Sequence, residues 1–205
     1  MKDLKEYMTE GFKLGKNYKN PYNYHPKNKS ELKKLVKQLI DERGDKANLN
    51  DIDTSEITNM ACLFYNSKFD GDISGWDVSH VKNMFRMFER SAFTGKNGDI
   101  SEWNVSNVKD MESMFHDSEF DGDLSQWNVS NVNAMYCMFY KSKFSGKNGD
   151  ISNWDVSNVT NMCYMFDRSG FDGNVSKWKI NKICAIEGMF ENCPLEGKEP
   201  KWYRK

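Results

Sequence analysis

Trp154-Asp155-Val156-Ser157-Asn158-Val159-Thr160-Asn161-Met162-Cys163-Tyr164-Met165-Phe166 is the stretch whose reading decides the fold, because versions of it recur through the chain. Tryptophan sets the register at Trp76, Trp103, Trp127, Trp154 and Trp178, at alternating short and long intervals. The long intervals carry the same expansion, Gly95-Lys96-Asn97-Gly98-Asp99 and Gly146-Lys147-Asn148-Gly149-Asp150, in place of Gly71-Asp72. Such alternation is what duplication of a two-unit block leaves behind.

Other columns follow without adjustment. Ile57, Val81, Val108, Val132, Val159 and Ile183 form one, and Met60, Met84, Met111, Met135 and Met162 another. A phenylalanine column runs Phe64, Phe88, Phe115, Phe139, Phe166, Phe190, and a second runs Phe69, Phe93, Phe120, Phe144, Phe171. A unit this short cannot bury its own apolar side, so neighbours must stack to make a core. Within each unit, the apolar spacing of Val81-x-x-Met84-x-x-Met87-Phe88 predicts a helical or 3₁₀ turn, with Ser79, Ser106, Ser130 and Ser157 as N-caps. The β-branched and aromatic run Asp99 to Val105 predicts a short strand.

The signature Trp154 to Phe166 is similar to the BspA-like leucine-rich repeat of bacterial surface proteins and mycoplasma lipoproteins, over about Asp51 to Leu195. That resemblance implies a right-handed leucine-rich-repeat solenoid with a parallel β-sheet, an α/β repeat fold, and a binding role that is often adhesive. The expected organisation is a helical N-terminal cap over 1–50, a six-unit solenoid over 51–195 and a closing segment over 196–205. In the cap, Ser30 starts a helix striped with Leu32, Leu35, Val36, Leu39 and Ile40 and stopped by Gly44. A second amphipathic segment with Leu4, Tyr7, Met8 and Phe12 precedes it. Trp202 is expected to close the last turn.

Formal net charge is −1. Residues 1–48 hold 12 Lys/Arg against 7 Asp/Glu, so a basic head precedes an acidic body. This balance argues against nucleic acid as partner. The charged start Met1-Lys2-Asp3 has no apolar run behind it, and no leader, lipobox cysteine or wall anchor is evident. A cytoplasmic location is the expectation, with surface display as the alternative. Cys62, Cys137, Cys163, Cys184 and Cys193 lack CxxC spacing and read as free thiols. Cys62 and Cys137 share a column three units apart, roughly 14 Å at strand spacing, too far for a disulfide.

Asp72, Asp99, Asp123, Asp150 and Asn174 form a polar column for which two readings stand: side chains accepting turn N–H groups, or ligands for calcium. Otherwise no cofactor or metal is expected. A Cys137–His116 nucleophile and base is the enzymatic alternative, but no orienting third group converges on it. Partner-binding positions are sought where units differ, beside the tryptophans: Glu102, Gln126, Asn153 and Lys177, with Asn104, Asn128 and Asp155. The tyrosine loop Tyr18, Tyr22, Tyr24 is the rival site. The function expected is a non-catalytic, protein-binding repeat scaffold, an intracellular inhibitor or adaptor of bacterial or phage origin. A leaderless adhesin and a repeat-borne hydrolase are the alternatives.

Overall fold

In the computed structural model, residues 22–203 are described. One helix is present among them, α1 (Lys29–Arg43). Its N-cap is Asn28, whose side-chain oxygen accepts the Glu31 N–H, so Ser30 lies inside the helix and not at its start. Gly44 ends it at φ 86°, donating its N–H to the Ile40 carbonyl. Leu32, Val36 and Leu39 are buried in the same apolar cluster as Ile52 and Phe64. Arg43 clamps the following segment with two parallel bonds of 3.0 Å to Asp51. The amphipathic segment holding Leu4, Tyr7, Met8 and Phe12 lies outside the described residues.

Beyond α1 the backbone is a succession of β-turns. The Leu63 N–H reaches the Met60 carbonyl and the Ser67 N–H the Phe64 carbonyl, both at 3.2 Å. The same pair closes at Met84–Met87 and Phe88–Ser91, at Met135–Met138 and Phe139–Ser142, and at Met162–Met165 and Phe166–Ser169. The third residue of each turn has positive φ: Cys62 and Asn66 at 57° and 53°, Arg86 and Arg90, Cys137 and Lys141, Tyr164 and Arg168. None of these is glycine, and the left-handed region costs an L-residue roughly 1–2 kcal/mol. Packing and inter-unit bonding offset that strain.

Neighbouring units are tied by rungs. Met60, Cys62, Phe64 and Asn66 donate N–H groups to the carbonyls of Asn83, Phe85, Met87 and Glu89 at 2.8–2.9 Å. Met84, Arg86, Phe88 and Arg90 do the same to Asp110, Glu112, Met114 and His116. The pattern continues to Arg168, which donates to Glu191. Within this ladder the donors point toward the later unit and the acceptors toward the earlier one, while Lys82, Lys109, Asn133 and Thr160 donate in the reverse direction to Thr58, Lys82, Lys109 and Asn133. Inside lie the phenylalanines, stacked at 5.3 Å for Phe64–Phe88 and 5.6 Å for Phe139–Phe166, with ring planes 1° apart in both pairs.

These facts correct the expected fold class. The described residues contain no extended strand; parallel bridges link single residues only, from Asn59↔Asn83 through to Asn161↔Ala185. A leucine-rich-repeat solenoid needs a continuous parallel sheet, and a backbone that reverses every few residues through left-handed positions cannot supply one. The predicted strand Asp99 to Val105 instead contains a turn closed by Trp103 N–H to Ile100 carbonyl at 3.1 Å. Asp99 Oδ1 accepts the Ser101 N–H, and this side-chain turn overrides the β-propensity of the run. The spacing of three in Val81-x-x-Met84-x-x-Met87 comes likewise from consecutive turns and not from a helix. Ser79, Ser106, Ser130 and Ser157 are turn residues with no helix to cap.

Two further features shape the ends. Ile183, aligned with the buried Val81 column, is 76% exposed. The turn bond that closes at Val81, Val108, Val132 and Val159 closes at Cys184 in the last unit, one residue late. Trp202 stacks on Trp178 at 6.4 Å and donates its indole N–H to the Val175 carbonyl, closing the core below Phe190.

Candidate functional site: a basic groove beside an open carbonyl row

The first unit presents carbonyls that no preceding unit meets. Among the described residues no N–H reaches the carbonyls of Asn59, Ala61, Leu63 and Tyr65, the row that is filled in every later unit. Since the donors of this ladder point toward later units, its acceptor row faces back toward the N-terminal end, where α1 lies. Between α1 and this edge runs a groove of about 550 Å³. Val36, Ile40, Leu63 and Tyr65 supply its apolar lining, and Tyr65 is 41% exposed. Lys33, Lys34 and Lys37 stand along the helix lip.

The helix period explains this division. Leu32, Val36 and Leu39 face the core at spacings of four and three, which leaves Lys33, Lys34 and Lys37 on the outer flank. Lys37 pairs with Asp41 at 2.6 Å. Lys33 and Lys34 have no ion partner among the described residues. An unmatched acceptor row beside two or three ammonium groups suits a ligand that brings backbone donors and acidic side chains together.

The positions chosen from the sequence lie elsewhere. Glu102, Gln126, Asn153 and Lys177 are exposed beside the tryptophans. Asn104, Asn128 and Asp155 are also exposed, but each side chain accepts an N–H two residues on, from Ser106, Ser130 and Ser157. Their residue types therefore answer to local turns. The hydrogen bonds around Ser157 are the main cause holding the Asp155 carboxyl below its ordinary pKa, with Lys179 assisting. Asn153, Asp155 and Lys177 do meet, with Lys179, around a hollow of about 400 Å³. The column Asp72, Asp99, Asp123, Asp150, Asn174 follows the same rule, each accepting from Ser74, Ser101, Ser125, Ser152 or Ser176. Of the two readings for that column, the turn reading describes its geometry. Among the described residues no group of three or more His, Cys, Asp or Glu could hold a metal ion.

In the tyrosine loop, Tyr24 is structural: its ring lies 5.7 Å from the Arg43 guanidinium and its backbone bridges to Ile52. Tyr22 packs edge-on against His25 at 6.5 Å, and Tyr18 lies outside the described residues. The Cys137–His116 pairing does not form a site. His116 meets Tyr140 edge-on at 4.9 Å and sits 4.0 Å from Glu89, while Cys137 neighbours Tyr136 and Cys163. Burial lowers the His116 pKa. Sequence reasoning missed the groove. Its signal was the lysine triplet on the flank of the predicted helix, but the open carbonyls belong to the backbone and leave no mark in residue types.

The family model described as "Mycoplasma protein of unknown function, DUF285" matches residues 30–147 and again 118–202. The chain belongs to this family. No curated protein and no solved structure matches it significantly. The resemblance to BspA-like leucine-rich repeats is corrected by that assignment and by the missing sheet. The expected protein-binding repeat scaffold, inhibitor or adaptor, falls with it, because there is no strand face to present and the residues meant to line it serve turns. Nothing in the match or the geometry supports the adhesin or hydrolase alternatives.

Proposed function

We propose that the groove between α1 and the first turn unit seats an extended acidic peptide segment. The carbonyls of Leu63 and Tyr65, which line this groove and accept no N–H among the described residues, carry the reading. Main-chain donors of an incoming segment would complete them as each unit completes the next. Lys33, Lys34 and Lys37 favour carboxylates over ammonium groups there, and Tyr65 with Ile40 offers an apolar anchor. The five free cysteines are compatible with action in the reducing cytoplasm.

Fluorescence anisotropy with a labelled peptide alternating glutamate and valine tests the reading. Saturable binding is expected, with a lysine–valine peptide at least tenfold weaker, a difference of about 1.4 kcal/mol. A glutamate–valine peptide with N-methylated backbone should lose binding, since it brings no N–H groups. Equal binding of both charge types, or full affinity in K33E/K37E, would remove the groove as the site.

A further inference from the structure

One rung brings two cysteines together. Cys137 donates its N–H to the Cys163 carbonyl at 3.0 Å, in adjacent units. We infer that Cys137 and Cys163 form a reversible disulfide across this rung when the protein meets a low-molecular-weight disulfide. At two equivalent rungs the side chains come within each other's influence. Arg86 donates to Glu112 and bears electrostatically on its carboxyl, and Tyr164 donates to Glu187 while its hydroxyl reaches Glu187 Oε1 at 3.5 Å. Two residues joined by one N–H···O bond hold their Cα atoms about 5–6 Å apart, inside the range a disulfide spans.

The remaining thiols are placed differently. Cys62 stands across its rung from Phe85. Cys193 directs its sulfur to the Phe190 carbonyl at 3.2 Å, and Cys184 directs its own to the Ala185 carbonyl at 3.5 Å. Burial pushes the Cys184 pKa up to about 11 and raises that of Cys137 as well. Cys163 is half-buried whereas Cys137 is buried, so Cys163 meets the oxidant first.

The step balances as thiol–disulfide exchange. The Cys163 thiolate attacks one sulfur of R–S–S–R, the S–S bond breaks, and RS⁻ leaves. Cys137, losing its proton to solvent, then displaces the second RS⁻ from the Cys163 sulfur. The protein gives up two electrons and two protons, and R–S–S–R becomes two RSH. The bond staples two units that are otherwise held by rungs and ring stacking, and it is read out as a change in stability.

Incubating the full chain with oxidised glutathione, alkylating the remaining thiols and mapping peptides by mass tests the assignment. Expected is a peptide cross-linked between Cys137 and Cys163, two alkylation sites lost, and a melting temperature raised by about 5–10 °C and restored by dithiothreitol. C163S should abolish the cross-link and C184S should leave it. A stable glutathione adduct on Cys163, a Cys163–Cys184 cross-link, or five alkylated thiols in the wild-type chain would each overturn the assignment. The wild-type mapping does not depend on whether either variant folds.

Discussion

The ring of Phe115 lies 5.5 Å from that of Phe88 with 2° between the planes. Phe139 lies 5.6 Å away on the other side, at 4°. A ring fully buried between two others has no room to be replaced by solvent or by relaxation of one neighbour alone. Phe115→Ala is expected to cost about 3–5 kcal/mol. Chemical denaturation monitored by tryptophan fluorescence checks this, and an unchanged midpoint would refute the stacking role.

Strain at the left-handed turn positions predicts a gain. Arg90 sits at φ 54° in the column where Asn66 and Asn192 occur naturally, both at 53°. Asparagine tolerates this region far better than arginine, and the Arg90–Asp117 contact at 3.8 Å is exposed and weak. R90N should therefore stabilise the fold by roughly 0.5–1 kcal/mol. R90A should not, since alanine carries the same left-handed penalty. The pair of denaturation midpoints separates conformational strain from loss of charge.

The strip beside the tryptophans should divide in a double comparison. Asn128 Oδ1 accepts both the Ser130 N–H at 3.1 Å and the Ser130 hydroxyl at 2.7 Å, whereas Glu102 is exposed with no such turn to hold. N128A is expected to lose about 1 kcal/mol, and E102A to stay within about 0.5 kcal/mol of wild type. Thermal melts on the two variants suffice, and equal losses would show that the turn bond is not what Asn128 is for.

Acid should loosen the attachment of α1. The Arg43 hydrogen bonds are the largest cause lowering the Asp51 pKa from 3.8, with Asn23 assisting and burial opposing. A carboxyl whose folded pKa is depressed adds stability above its unfolded value, about 3.9, and that stability is lost as pH falls through the folded value. Wild type should therefore lose stability relative to D51N below about pH 4, where the two curves converge. Melting temperatures of both chains from pH 6 to pH 2.5 give the measurement; parallel curves throughout would contradict the linkage.

What the sequence determined by itself was the period and the buried columns. Phe64, Phe88, Phe115, Phe139, Phe166 and Phe190 are all buried, as are Met84, Met111, Met135 and Met162. Burial follows residue type and spacing, and both are written in the chain. The helix around Leu32 to Leu39 and its stop at Gly44 were legible for the same reason. Only the tertiary structure decided the backbone. Left-handed turns at Cys62, Arg86 and Lys141 carry no glycine signal, because bonds to neighbouring units hold them there. Asx turns at Asp99 and Asn104 defeated a run that its β-branched and aromatic residues mark as strand. The tertiary structure also pairs residues across rungs one position out of repeat register. Column alignment thus put Cys62 and Cys137 in one column three units apart, while the rung bond joins Cys137 to Cys163 in adjacent units. The open carbonyl row has the same origin: main-chain groups are alike in every residue, so only the place where stacking begins leaves four of them unmet among the described residues.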